Sequence, residues 1–234
     1  MARLLLTSLL VTIGPAFCQN LTPGEPTSSP STSLPENSRI FGIIPNNRTS
    51  PSLTNYKPLS LKEKFGIARL DSFDRGTVVL AALFAADGQL TKANPSFGNG
   101  PAGYAHYFGT SYADFVIGNY LSEAVYPALL HEDPRYFRRG TGSKLARLGY
   151  SVGQIIWTHT DSDRTQFNYS EILGNSTAVA ISTLYYPDHR SASDSMGKLG
   201  MQLGVDVASN ILKEFWPDLS RKFSRKHPQQ AYLN

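Results

Sequence analysis

The sequence predicts an all-α fold, a bundle of about five Gly-rich helices preceded by a disordered Pro/Ser/Thr-rich segment. Apolar residues recur at intervals of three and four late in the chain, as in Met196, Leu199, Leu203, Val207, Ile211 and Phe215, which is the period of one helix face. No run alternates with period two for long enough to form a strand. Turn clusters and aromatic-Pro steps, from Asn94 to Pro101 and at Tyr126-Pro127, Tyr186-Pro187 and Trp216-Pro217, cut the chain into helix-length pieces.

The chain opens with a basic Arg3, an apolar run from Leu4 to Ile13 too short to span a bilayer, and Ala16-Phe17-Cys18, with small residues where a signal peptidase reads. Residues 1–18 are therefore expected to be a signal peptide cleaved before Gln19, and the protein is expected in the periplasm or at the cell surface. Phe17 speaks against the alternative, an acylated Cys18, because a lipobox has Ala or Gly there. Cys18 is the only cysteine, so a mature chain has neither disulfide nor thiol chemistry. Residues 19–58 hold seven Pro, seven Ser and five Thr; too little apolar surface remains to offset the entropy of ordering, and a flexible tether is expected. The island Ile40-Phe41-Gly42-Ile43-Ile44 is expected to dock on its own domain. A helical domain over 59–227 and a tail over 228–234 complete the expected organisation. Asn20, Asn47, Asn168 and Asn175 sit in Asn-x-Ser/Thr triplets, but Asn175 lies in a helix-like run where a glycan would not fit, and a bacterial envelope is the simpler setting.

From Ser60 the pattern is helical. Ser60-Leu61-Lys62-Glu63 has the spacing of a capping box, and the first helix is expected to continue to about Ala86, apolar nearly all round from Val78 and therefore central. The second spans Ala102–Leu130, with Gly109 as the point where it could break. The third covers Ser143–Trp157, the fourth Tyr169–Tyr185 and the fifth Ser193–Phe215, with a short basic helix beyond Pro217. Gly197, Gly200, Gly204 and Ala208 make a small-residue stripe on the fifth. A helical glycine costs about 1 kcal/mol relative to alanine, so a close neighbouring helix is expected there. Lys198, Asp206 and Lys213 on the same helix argue against a lipid-facing span and for a soluble bundle. The phrases Leu173-Gly174 to Tyr186-Pro187-Asp188 and Leu203-Gly204 to Trp216-Pro217-Asp218 repeat with thirteen residues from Gly to Pro, and read as helices stopped by proline with the aspartate capping the next turn.

The formal charge is +4, from 22 basic and 18 acidic residues. Arg221, Lys222, Arg225 and Lys226 account for that excess, so the remainder is near neutral, which excludes a nucleic-acid footprint spread over a whole face. Four groups could carry chemistry. Glu123 and Glu214 each end an Asn-x-x-x-Glu step among apolar neighbours; carboxyls so placed hold protons tightly and could serve a hydrolase, although a plain hydrogen bond to Asn or to a facing helix end explains them equally. His131 and Asp133 stand at the expected end of the second helix, with Asp188-His189 expected at the same pole and His159-Thr160-Asp161 at the other. Arg135, Arg138 and Arg139 beside Tyr136 and Phe137 could grip an anion, or could hold the inter-helix corner through carboxylates. Arg221, Lys222, Arg225 and Lys226 could rest on anionic lipid head groups. No spacing in the sequence implies a metal or a cofactor.

The phrase from Asp133 to Arg139, the stop Tyr185-Tyr186-Pro187-Asp188 and the run Glu214-Phe215-Trp216-Pro217-Asp218 resemble a set of uncharacterised exported bacterial helical proteins, over roughly residues 39–227. The resemblance implies a bacterial source and no activity. The expected role is a non-enzymatic envelope protein whose helical domain binds an anionic membrane surface or an envelope protein. A hydrolase of envelope lipid or glycan and a carrier of a small hydrophobic ligand are the rivals.

Overall fold

Ser60 opens the first helix as anticipated: its hydroxyl accepts from Glu63 N, and the Glu63 carboxylate accepts from Ser60 N at 2.7 Å. The computed structural model describes residues 39–40, 44–45, 48–50 and 56–224. They run β1 (Arg39–Ile40), β2 (Ile44–Pro45), β3 (Thr49–Ser50), α1 (Leu61–Ser72), α2 (Arg75–Leu90), α3 (Gly100–Tyr120), a π turn (Leu121–Val125), α4 (Tyr126–Leu130), β4 (Glu132–Asp133), β5 (Tyr136–Phe137), α5 (Lys144–Gly153), β6 (Trp157–Thr160), β7 (Thr165–Phe167), α6 (Tyr169–Ser182) and α7 (Ala192–Ser224). The chain divides into units 1–34 and 35–234, and every described residue belongs to the second. The expected signal peptide, Arg225, Lys226 and the tail lie outside the described residues.

The molecule is mostly helical, with corrections to the expected elements. The first helix is two, because Asp74 caps a new start by accepting from Gly76 N at 2.6 Å. The second is unbroken at Gly109. It changes instead at Leu121–Val125: Pro127 has no N–H to give the Glu123 carbonyl, and the ladder slips to a longer step in which Tyr126 N donates to Leu121 O. The third helix ends at Gly153, and Trp157–Thr160 is a strand. It pairs antiparallel with β7 on one side and β4 on the other. The fifth does not stop at Pro217; α7 continues through it to Ser224, while Arg147 Nη2 donates to the Glu214 carbonyl just upstream at 2.7 Å.

The domain also begins before residue 59. Thr49 and Ser50 pair in parallel with Tyr136 and Phe137, Tyr136 N donates to Arg48 O at 2.7 Å, and Tyr56 Oη lies 2.9 Å from both Asp133 Oδ2 and Thr160 O. Part of the expected tether is thus built into the fold. The island around Ile40 forms an antiparallel pair, Ile40 opposite Ile44, with its backbone beside α2 and α7.

Close helix contact falls at other glycines than expected. A Cβ at Gly174 of α6 would sit 2.7 Å from Ser122 Cα of the π turn, and one at Gly88 of α2 2.9 Å from the Tyr107 ring of α3. Gly197, Gly200 and Gly204 are exposed, and a Cβ there would meet nothing within 4 Å.

The distribution of side chains is inverted relative to an ordinary soluble bundle. Among the described residues, five of the eleven buried apolar ones are alanines, Ala68, Ala81, Ala85, Ala124 and Ala178, and buried with them are Lys64, Asp71, Glu123, Glu132, Asp133, Arg147, Glu171, Lys213 and Glu214. Large apolar side chains point outward, including Val79, Leu83 and Leu90 along α2. Lys198, Asp206 and Lys213, which counted against contact with lipid, face inward. Among the described residues no helix is long and apolar enough to cross a membrane.

Candidate functional site

A buried ionic cluster occupies the centre of the domain. Arg48, from the segment before α1, places Nη1 2.9 Å from Glu123 Oε1 on the π turn and Nη2 3.9 Å from Glu171 Oε2 on α6. Asn175, one turn along α6, donates to Glu171 Oε1 at 3.0 Å and to Asp206 on α7 at 3.4 Å. Burial pushes the Glu123 carboxyl up to about 8, against the pull of Arg48. Burial and the neighbouring Glu171 carry Asp206 well above the usual carboxylate range. Lys213 is lowered by burial and by Arg48. Arg48, for which burial alone would favour the neutral form, is held charged by Glu123 and Glu171. Burial thus favours the protonated form of Glu123 and of Asp206.

Glu214 sits in a second cluster, completely buried. It receives Arg147 Nε at 2.7 Å, the Tyr136 hydroxyl at 2.8 Å, and the backbone N–H groups of Arg139 and Gly140 at 3.0 and 2.9 Å. Burial alone would raise its carboxyl, but Arg147 and these donors hold it below the ordinary value. Arg147 also bonds Asp218 at 2.5 Å, and its guanidinium lies 4.5 Å from the Phe215 ring centroid. Glu123 and Glu214 therefore each have an arginine. Neither bonds its Asn partner, and neither lines the two cavities described in the molecule.

The histidines are arranged differently from the expected poles. Asp133 is the register partner of His159, so the His131 corner and His159 share one end. Asp188 receives Ser96 N and Oγ near the start of α3 at the far end. His131 is a left-handed residue at the end of α4 with an exposed side chain, 4.0 Å from Asp161. Arg135 is taken by Asp133, Nη2 to Oδ2 at 2.6 Å, and by the Lys57 carbonyl. Arg139 is exposed, with its guanidinium 5.9 Å from the Tyr150 ring centroid, and Arg138 is half-buried. Glu132, beside Asp133, accepts from Ser170 N at 2.8 Å, placing a carboxylate at the positive end of α6.

Two further features have an outward or open face. Helix α5 is strongly amphipathic, yet its buried residues are Arg147 and Ser151. Leu145, Leu148 and Val152 lie outside, continued by Ile156 and Trp157, with Leu145 78 % and Trp157 51 % exposed. Trp157 is paired across the hairpin with Phe167, whose ring meets Tyr169 at 4.9 Å. Lys144 precedes the stripe, and on the inner side of α5 Arg147 shares Asp218 with Arg221 of α7. The second feature is a half-open cavity of about 640 Å³ between α2, α3, α6 and α7.

Sequence reasoning missed Arg48, Glu171, Asp206 and Lys213. Arg48 stood in a Pro/Ser/Thr-rich stretch 75 residues from its partner, and nothing local marks such a pairing. The inward charges of α7 had a visible signal, since Lys213 and Glu214 lie seven and eight residues, two helical turns, after Asp206. No family model matches the chain, and no curated protein or solved structure matches it.

Proposed function

We propose that the protein is an exported, non-enzymatic envelope protein that docks on an anionic membrane surface through the outward face of α5 and the aromatic tip Trp157, Phe167 and Tyr169. The observation that carries this reading is the direction of α5: an amphipathic helix turns its arginine and serine to the protein and its leucines and valine away from it. A helix placed so buries its apolar face in the head-group and acyl boundary, where Trp and Tyr side chains also reside. Lys144 at the start of α5 and the exposed Arg221 and Lys222 of α7 supply basic charge, each contributing on the order of 1 kcal/mol near an anionic surface within a Debye length of about 8 Å. The apolar face supplies the part that salt does not screen. Export follows from the reading of residues 1–18. The hydrolase reading lacks a cleft that brings Glu123, Glu214 and His131 together among the described residues.

Sedimentation with vesicles tests the docking. Wild type is expected to pellet with anionic vesicles and weakly with neutral ones. Leu145→Gln with Trp157→Ser should abolish pelleting at all salt concentrations. Arg221→Gln with Lys222→Gln should weaken it mainly at low salt. A protein that ignores vesicles and instead forms a dimer broken by the Leu145 and Trp157 changes would show that the face meets a second copy.

A further inference from the structure

The cavity between α2, α3, α6 and α7 is walled on one side by Phe84, Phe115, Val179, Met201 and Val205. Its 640 Å³ falls in the range of small-molecule sites, about 300–1,000 Å³. Gly118 of α3 is buried against it, and a Cβ there would meet nothing within 4 Å. That contrasts with buried Gly88 and Gly174, which are filled by a neighbour. The glycine keeps space open.

The polar groups define what that space accepts. Asn94 is buried, and its Oδ1 has no partner among the described residues; Gln202 Oε1 on α7 is likewise without one. A buried acceptor without a donor is costly, so both call for a donor from the occupant. Lys198 also lines the cavity, but its ammonium lies 2.8 Å from Asp114, and Asp114 already accepts from the hydroxyls of Tyr185 and Tyr186. Lys198 is thus neutralised. Asp87, Asp114 and Asp194 at the lining disfavour an anionic head group, while Asp114 and Asp194 are already engaged by Lys198, the two tyrosine hydroxyls and Ser191, so a cationic head gains no free carboxylate from them.

We propose that this cavity binds an uncharged single-chain amphiphile, with its hydrocarbon along the Phe84, Phe115 and Val179 wall and a hydroxyl- or amide-bearing head donating to Asn94 and Gln202. The site stands independently of the docking face of α5.

The test titrates the full chain with 1-decanoylglycerol below its micelle concentration, with decanoate and decyltrimethylammonium as charged comparators. Saturable one-to-one binding of decanoylglycerol is expected, at least tenfold tighter than either charged chain. Gly118→Leu starts into space where a Cβ meets nothing within 4 Å and adds a better helix former, so the thermal midpoint of the free protein should not fall while affinity drops at least tenfold. Gln202→Leu should weaken the glycerol ester about tenfold and leave decyltrimethylammonium unchanged. Leu145→Gln with Trp157→Ser should keep full decanoylglycerol affinity, which separates this site from vesicle docking. Absence of saturable binding, equal affinity for the charged chains, or full affinity in a folded Gly118→Leu or Gln202→Leu protein would each overturn the proposal.

Discussion

At the scale of single residues, Arg48 organises the interior. It is the cation nearest Glu123 and also reaches Glu171, and removing it strips a buried donor and a favourable charge from both carboxyl groups. Arg48→Ala is expected to cost about 3–5 kcal/mol in urea denaturation, with part of the loss recovered when Glu123→Gln is added; a cost below about 1 kcal/mol would mean that water screens the pair. The protonation of Glu123 has a second consequence. Its carboxyl is raised from the ordinary 4.5 to about 8, so the folded chain binds this proton more tightly than the unfolded chain. The stability it contributes is complete below pH 4.5 and is lost as the pH rises through about 8. Glu214 works with the opposite sign: its carboxyl is depressed, and its contribution is lost as the pH falls through the depressed value. The urea midpoint is therefore expected to decline on the alkaline side, and Glu123→Gln, which fixes the neutral form, is expected to flatten that decline. An unaltered alkaline slope in the variant would place the titration elsewhere.

At the scale of elements, the π turn and α6 fit as a pair. Pro127 forces the wider turn, and Gly174 lets α6 lie directly on the Ser122 backbone. Backbone cannot move aside as a flexible side chain can, so Gly174→Ala is expected to destabilise by at least about 1–3 kcal/mol. Gly204 presents the reverse case. It is exposed on α7 with open space around it, and Gly204→Ala is expected to raise stability by up to about 1 kcal/mol. Thermal melts of the two variants should move in opposite directions; two losses would mean that something covers the Gly204 face. The same comparison shows what patterning conveys about an element. Ser60, Ser143 and Asn168 mark true helix starts because caps are local chemistry, each bonding a backbone N–H three residues ahead. Pro217 does not mark an end, because a proline withholds one N–H, here the one that would bond the Lys213 carbonyl, and the helix continues on both sides of that single gap.

At the scale of the whole molecule, the boundary of the domain is decided by buried charge. Arg48, the Thr49–Ser50 strand and Tyr56 all belong to the folded unit, so a chain lacking residues 19–57 is expected to lose cooperative melting, whereas one lacking 19–34 is expected to keep its midpoint. Equal melting of the two would make the segment dispensable. The sequence by itself determined the helical class, the main helix starts and the apolar neighbourhoods of Glu123 and Glu214, because each rests on chemistry within a few turns of one segment. The tertiary structure alone decided which way the amphipathic faces point. A helical wheel orders residues around an axis, but it carries no sign telling whether the apolar side meets protein or surroundings; that sign came from Arg147 with Glu214, 67 residues apart, and from Arg48 with Glu123 and Glu171, the first of them 75 residues away. Once these charges occupy the interior, the leucines of α2 and α5 have only the outside left to face.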